Sequence, residues 1–260
     1  MGILGGRFGE WILSKVLIPL DHVNGSLATA SSSFKEVSQP FGLNCDTLRD
    51  LTILDFGCGS GQTVLDIAKF GPQKVIGLDI RESILNQARQ SAEDQKVSNC
   101  IFVNSLRDNL NQFYGTVDVI ISIDAFEHYP DPGRALVEME KYLKPNGQVY
   151  ISFGPPWWHP YGPHLQFMTR LPWPHVVFKE ALLMSARGLY KHDGAKQFEQ
   201  VEGGLNRMSV NRFQKLVQNS ALLIKNLELI PIRRMRHLQK YCPGGRELFT
   251  SCVKASLQKR

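Results

Sequence analysis

The chain has 260 residues, 43% of them apolar and 21% charged, which suits a soluble globular chain with one substantial core and excludes an intrinsically disordered one. No apolar run approaches the roughly 20 residues a membrane span requires. The five cysteines (Cys45, Cys58, Cys100, Cys242, Cys252) are odd in number, scattered and without a C-x-x-C pair, so they read as reduced thiols in a cytoplasmic protein, not as a disulfide frame or zinc knuckle.

The first twenty residues are locally amphipathic. Trp11, Ile12, Val16 and Leu17 share one helical face, while Arg7, Glu10 and Lys15 break any signal-peptide core. Gly6 stands where a myristoylation motif after Gly2 requires Ser or Thr. The expectation is a helix packed on this protein or a partner, with contact to a membrane surface as the alternative. Residues 1–48 read as N-terminal helices ahead of a sheet.

From Leu51 apolar runs of strand length alternate with helical patterns. Strands are expected at Leu51–Asp55, Lys74–Asp79, Cys100–Val103, Val117–Ile121 and Gln148–Phe153, with helices at Thr63–Phe70, Glu82–Lys96 and Gly133–Leu143. Continuous apolar strands separated by helices imply a parallel sheet covered on both faces, and residues 49–154 form that core. The rhythm stops after Gly154. Residues 155–207 carry six prolines and Trp157, Trp158 and Trp173, and read as an insertion whose aromatics form flat walls for a small molecule. In residues 208–260, a helix at Ser209–Asn219 with Ser209 as N-cap precedes strands Leu222–Ile230 and Glu247–Leu257, an antiparallel hairpin with an irregular basic connection.

Ligands of open α/β sheets bind at the carboxyl ends of the strands. There the chain reads Asp55-Phe56-Gly57-Cys58-Gly59-Ser60-Gly61. Glycines at alternate positions let the backbone turn sharply and approach a ligand where a Cβ would clash. Asp55 places a carboxylate suited to a ligand with an ammonium group and ill suited to a diphosphate. Asp79, at the end of the second strand, can accept hydrogen bonds from ribose hydroxyls, and Ile80 offers an apolar face to a base. Asn104, Ser105 and Leu106 follow the third strand, where polar groups can meet a base edge. A dinucleotide fingerprint G-x-G-x-x-G would need glycine where this chain has Gln62.

This arrangement resembles the class I S-adenosylmethionine-dependent methyltransferases, in particular the type 11 and ubiquinone-pathway-like members. The acid and glycines of the first motif are Asp55, Gly57, Gly59 and Gly61, and the acid of the second is Asp79. Ile121-Ser122-Ile123-Asp124-Ala125-Phe126-Glu127-His128-Tyr129-Pro130-Asp131 resembles the segment after strand four. Leu143-Lys144-Pro145-Asn146-Gly147-Gln148 resembles the turn into strand five. The likeness runs from about Leu51 to Phe153. It implies a doubly wound, mostly parallel seven-stranded α/β sheet (the Rossmann-like methyltransferase fold), with an antiparallel C-terminal hairpin and a lid inserted after strand five. It also implies S-adenosylmethionine as cofactor, S-adenosylhomocysteine as product, and Asp55, Gly57, Cys58, Gly59, Gly61, Asp79, Ile80, Ser105, Leu106 and Asp124 as the cofactor-binding set.

The sulfonium of such a cofactor is already activated, so the protein must align an acceptor and, for a hydroxyl, remove its proton. His159 and His164, at the start of the insertion, are the candidate general bases, with His128 third; the alternative for each is a histidine hydrogen-bonded within its loop. Asp124-x-x-Glu127-His128 is similar to the E-x-x-E-H pattern of metal-using relatives, but Asp replaces the first Glu, and a divalent metal is not favoured. Gly154-Pro155-Pro156-Trp157 lacks the leading Asp or Asn, and the position, of a base-amino methylation signature. The net charge of +6 is concentrated late in the chain, in Arg233, Arg234, Arg236, Lys240, Arg246, Lys254, Lys259 and Arg260. That surface is either a solvated face or a docking surface for an acidic partner. O-methylation of a small-molecule or glycan-like hydroxyl is the leading expectation, with nucleic acid disfavoured. The alternatives are an RNA or protein methyltransferase and a catalytically silent partner subunit. The acceptor and the oligomeric state are not legible.

Overall fold

The structure is a computed structural model that describes residues 2–20, 44–201 and 203–260. Its centre is a seven-stranded sheet of order β3-β2-β1-β4-β5-β7-β6. The strands are β1 (Thr52–Phe56), β2 (Lys74–Asp79), β3 (Cys100–Asn104), β4 (Val117–Ile123), β5 (Leu143–Phe153), β6 (Leu222–Pro231) and β7 (Thr250–Lys259). The first five are mutually parallel, while β7 runs antiparallel to β5 and β6 antiparallel to β7. This is the expected doubly wound α/β architecture with its C-terminal antiparallel pair.

Alternation along each strand sends neighbouring side chains to opposite faces, and both faces are buried. Leu54, Ile76, Ile120 and Val149 meet Leu136, Met139, Phe213 and Val217, from the helices Pro132–Tyr142 and Val210–Gln218. On the other face Ile53, Val75, Val119 and Ile121 meet Val64, Leu65, Leu85 and Ala88, from the helices Gln62–Ala68 and Glu82–Asp94. Ser209 caps its helix as its residue type foretells, accepting the Arg212 N–H at 3.2 Å.

The last strand differs from expectation. Glu247 lies in a short helix, Gly245–Leu248, and β7 begins at Thr250. The Glu247 carboxylate accepts the N–H groups of Val210 (3.1 Å) and Asn211 (2.7 Å), so it serves the start of a neighbouring helix instead of the sheet. The β6–β7 connection is also not irregular throughout, since it contains the helix Arg236–Tyr241.

The N-terminal helix Gly6–Val16 and the insertion share a third hydrophobic cluster, in which Leu13 meets Trp157, Met168, Phe178 and Leu183. Backbone bridges join Leu4 to Phe178 and Leu17 to Thr169. The helix's inward face is set by Gly9 and Leu13, with Ile12 and Val16 beside them, and Trp11 is 60% exposed. The expected face was thus rotated, because Leu13 and not Trp11 found the insertion. The insertion's tryptophans are likewise not cavity walls. Trp157 is buried against Phe198 and His175, and Trp173 donates its indole N–H to the Trp158 carbonyl while its ring meets Phe249. They form the insertion's own core. Of the expected second N-terminal helix, residues 21–43 lie outside the described residues, and the short helix Cys45–Leu48 precedes β1.

Candidate active site at the strand ends

A cavity of about 2030 Å³ opens at the carboxyl ends of β1, β2, β4 and β5, bounded by the glycine turn on one side and the insertion on the other. It exceeds the ~300–1,000 Å³ of a typical single-ligand pocket, leaving room for two reactants.

The glycine turn is built by hydrogen bonds that leave one side open. The N–H groups of Gly57 and Cys58 both donate to the Leu78 carbonyl, at 2.8 and 2.9 Å. Gly57, Gly59 and Gly61 all have positive φ, the region that favours glycine. A Cβ at Gly57 would lie 2.8 Å from the Tyr129 hydroxyl, and one at Gly61 2.5 Å from the Phe102 ring; these two glycines serve protein packing. At Gly59 the nearest atom is 3.9 Å away, so that glycine faces the cavity. The Cys58 thiol packs in the core beside Gly77 and donates to the Gly59 carbonyl at 3.8 Å, and burial, with Asp55 and Asp79 nearby, pushes its pKa far up.

Two carboxylates flank the turn. Asp55 is 3% exposed, and burial, then the neighbouring Asp79, pushes its pKa from 3.8 to about 7. An approaching ammonium or sulfonium would stabilise its charged form. Asp79 accepts the Gly59 N–H at 3.0 Å on one oxygen, and the Arg81 N–H (2.9 Å) and guanidinium Nε (3.2 Å) on the other. A carboxylate has about four lone-pair sites, so the three bonds leave capacity for a hydroxyl. Beside it Ile80, 55% exposed, and Leu106, 76% exposed, present apolar surface, and Ser105 lines the cavity. Asn104 does not face a ligand. Its amide is spent on the Glu82 carboxylate (2.7 Å), the Ile80 carbonyl (3.3 Å) and the Leu106 N–H (3.0 Å), so it braces the loops that carry Ile80 and Leu106. The open face at Gly59 and the buried Asp55 fit an S-adenosylmethionine molecule laid across the turn.

On the opposite wall the segment after β4 meets the insertion. His128 Nδ1 lies 2.6 Å from the Gly204 carbonyl. A carbonyl only accepts, so Nδ1 carries the proton and Nε2 of the neutral ring keeps its lone pair. The His164 ring lies edge-on at 6.0 Å, and its Nε2 has no partner among the described residues. Burial, helped by His128 and His159, lowers the His164 pKa to about 4, so this ring is neutral at neutral pH. His159 is not brought to the cavity; its Nδ1 accepts the Tyr161 N–H at 3.0 Å within its own loop.

Sequence reasoning missed two residues as site members. Glu127 was read only as part of a metal pattern. It is 4% exposed, with Oε1 accepting the Gly154 N–H at 3.0 Å and Oε2 unpartnered among the described residues. Burial outweighs its hydrogen bonds and, with Asp124 nearby, pushes its pKa from 4.5 to about 8. Asn206 donates its amide to the carbonyls of Phe126 (2.8 Å) and Tyr129 (2.9 Å), which no local pattern could foretell across some 80 positions. Asp124 lines the cavity with φ 49°. Among the described residues no three His, Cys, Asp or Glu side chains are placed to hold a metal ion. Glu127 accepts the Gly154 N–H and His128 meets the Gly204 carbonyl, so the metal pattern is not assembled among the described residues.

Residues 48–157 match the family model described as a methyltransferase domain. The ubiquinone biosynthesis O-methyltransferase of Acinetobacter baylyi is 34% identical over 101 residues, 38% of this chain and 42% of that protein. A mitochondrial counterpart from Dictyostelium discoideum is 30% identical over 114 residues, covering 40% and 36%. The chain thus spans less than half the length of the curated relatives it matches. Among solved structures, a methyltransferase dependent on S-adenosylmethionine from Aquifex aeolicus superposes with a TM-score of 0.55 at 15% identity, covering 95% of this chain and 98% of that one, which speaks to fold. No helix among the described residues is long and apolar enough to cross a membrane. Motif order, site geometry and sequence likeness coincide on the same segment: residues 48–157 of this chain match a methyltransferase domain, and its α/β core is similar to the class I S-adenosylmethionine-dependent methyltransferases.

Proposed function

We propose that the protein transfers the methyl group of S-adenosylmethionine to a hydroxyl of a small-molecule acceptor. The cofactor would lie across Gly59, with its ammonium at Asp55, its ribose at Asp79 and its base between Ile80 and Leu106. When bound, it supplies the electrophilic methyl group and leaves as S-adenosylhomocysteine. The protein's own part is to bind, to orient and to take one proton. The observation that carries this reading is His128. The Gly204 carbonyl fixes its tautomer, so an imidazole Nε2 lone pair is available on the wall facing the glycine turn. His164 stands beside it as a neutral ring, and Glu127, protonated at neutral pH by its burial, adds no negative charge to the wall. The kinship with O-methyltransferases of ubiquinone biosynthesis supports oxygen as the acceptor atom.

The test begins with calorimetric titration of S-adenosylmethionine and S-adenosylhomocysteine, followed by methyl transfer to a panel of phenols and alcohols. His128→Ala is expected to lower kcat by about a hundredfold or more while leaving the cofactor Kd unchanged. His159→Ala should behave as wild type. Full turnover in His128→Ala removes the histidine base from the reading; failure of the wild type to bind either nucleotide removes the activity itself.

A further inference from the structure

We infer that the protein docks on an anionic lipid bilayer through two exposed apolar-cationic patches that the insertion holds together. The first is the outer face of the helix Gly6–Val16. Phe8, Trp11 and Lys15 follow one another at spacings of three and four residues and Arg7 stands four before Trp11, so they share one side, opposite the buried Gly9 and Leu13. The Phe8 and Trp11 rings stack at 6.3 Å in solvent, and Ile3 just before them is 84% exposed. The second patch is the β6–β7 connection. Met235, Leu238 and Tyr241 are exposed there among Arg233, Arg234, Arg236 and Lys240. The sequence has no acidic residue between Glu228 and Glu247.

The patches are tied to one another. Ile3 and Leu4 donate backbone N–H groups to the Val177 carbonyl, at 3.0 and 2.9 Å. Trp173, at the head of the same short helix Pro174–Val177, places its ring 6.3 Å from Phe249, and the Phe249 carbonyl accepts the Ile232 N–H at 2.9 Å beside Arg233. The insertion is therefore the common support of both patches.

The composition selects the partner. Cations without apolar neighbours would serve a polyphosphate backbone, and apolar side chains without cations would serve a second protein copy. Tryptophan and phenylalanine interleaved with arginine and lysine match an interface with acyl chains below and acidic headgroups above. The cavity is joined to this surface. Tyr190, on its wall, donates its hydroxyl to the Ile18 carbonyl at the end of the helix chain. A lipid-borne acceptor would thus meet the insertion at the bilayer. This last step rests on the proposed methyl transfer, whereas the docking itself does not.

The experiment is co-sedimentation of the full chain with vesicles of phosphatidylcholine alone and of phosphatidylcholine mixed equally with phosphatidylglycerol. The wild type should bind the anionic vesicles, release from them in high salt, and leave neutral vesicles in solution. Arg233→Gln/Arg234→Gln/Arg236→Gln should weaken that binding about a hundredfold, at roughly fivefold per cation. Phe8→Ser/Trp11→Ser should weaken it about tenfold. All five side chains are exposed, so the melting temperature should hold in both variants and certify the fold. Absence of wild-type binding to anionic vesicles overturns the inference, as does equal binding by either variant. Salt-sensitive retention of an RNA duplex without vesicle binding would assign the cations to nucleic acid instead. A dimer dissolved by Phe8→Ser/Trp11→Ser, again without vesicle binding, would assign the aromatic face to a second copy. The vesicle readout needs no turnover, so its failure and that of the methyl-transfer reading are separate results.

Discussion

Between Thr52 and Phe153 the glycine turn and the acids beside it sit within a few positions of a strand's carboxyl end, and residues at the same or the adjacent strand end place them: Asp79 holds Gly59 and Arg81, and Asn104 holds Leu106. Between Pro155 and Arg207 the chain is placed by distant partners. Thr169 Oγ1 donates to the Val16 carbonyl at 2.9 Å, the Tyr190 hydroxyl donates to the Ile18 carbonyl, and the Trp157 N–H donates to Met208. The two regions also have separate hydrophobic clusters. On the proposed methyl transfer, a cofactor half fixed at adjacent strand ends and an acceptor half fixed by packing on distant elements should respond to damage separately.

The sharpest test of that separation is Phe178→Ala, which empties the centre of the insertion's core. We expect a loss of about 3–5 kcal/mol in the insertion's stability and loss of turnover, with the cofactor Kd by calorimetry changed by no more than about threefold. Cofactor affinity that collapses together with the insertion would break the comparison.

Within the cofactor half, Gly61→Val should lower the stability measured by thermal unfolding by about 2–3 kcal/mol, because its side chain enters the Phe102 and Ala88 packing. Gly59→Val has no such neighbour. It should melt within about 1–2 kcal/mol of wild type, the cost of its φ of 51°, yet fail to bind S-adenosylmethionine. Equal melting of the two variants would mean that the turn is not divided between packing and ligand.

Glu127 joins the two halves, and its titration reads on that joint. Its pKa is raised on folding, so the stability it contributes is fully present below about 4.5 and is lost as pH rises through about 8. Glu127→Gln has no proton to lose. Melting curves at pH 5 and pH 8.5 should therefore show the wild type falling relative to the variant by on the order of 4 kcal/mol, and parallel curves would sink the assignment. The smallest effect is at Asp55, where affinity for the cationic cofactor should rise as pH passes from 6 to 8 and the carboxyl ionises. Asp55→Asn should flatten that dependence and cost about tenfold in affinity at pH 8.

The sheet and its glycine turn were legible because buried parallel strands and positive-φ glycines leave local signatures: the strands at 74–79 and 117–121 and the acids Asp55 and Asp79 could be read directly. The wall around His128 and His164 was not. Nothing near His128 foretells Gly204 as its partner, whereas His159 took the alternative read for it, a bond within its own loop to the Tyr161 N–H. Trp11 and Trp157 show the same limit, since an aromatic in an amphipathic or proline-rich stretch has no local cue to which side it will face. Glu247 misled because a carboxylate that caps a neighbouring helix resembles the first residue of a strand.

The insertion leaves the sheet and returns to it at one residue. Glu127 takes the Gly154 N–H on its side chain where the excursion begins and the Asn206 N–H on its backbone carbonyl where it ends. A segment whose two ends are clasped together can be exchanged for another of different length at little cost in loop-closure entropy. On the proposed methyl transfer the molecule is in that sense a chassis with a socket: Glu127 is the socket's rim, and acceptor range could diversify above it while the residues proposed to hold the methyl donor stay unchanged.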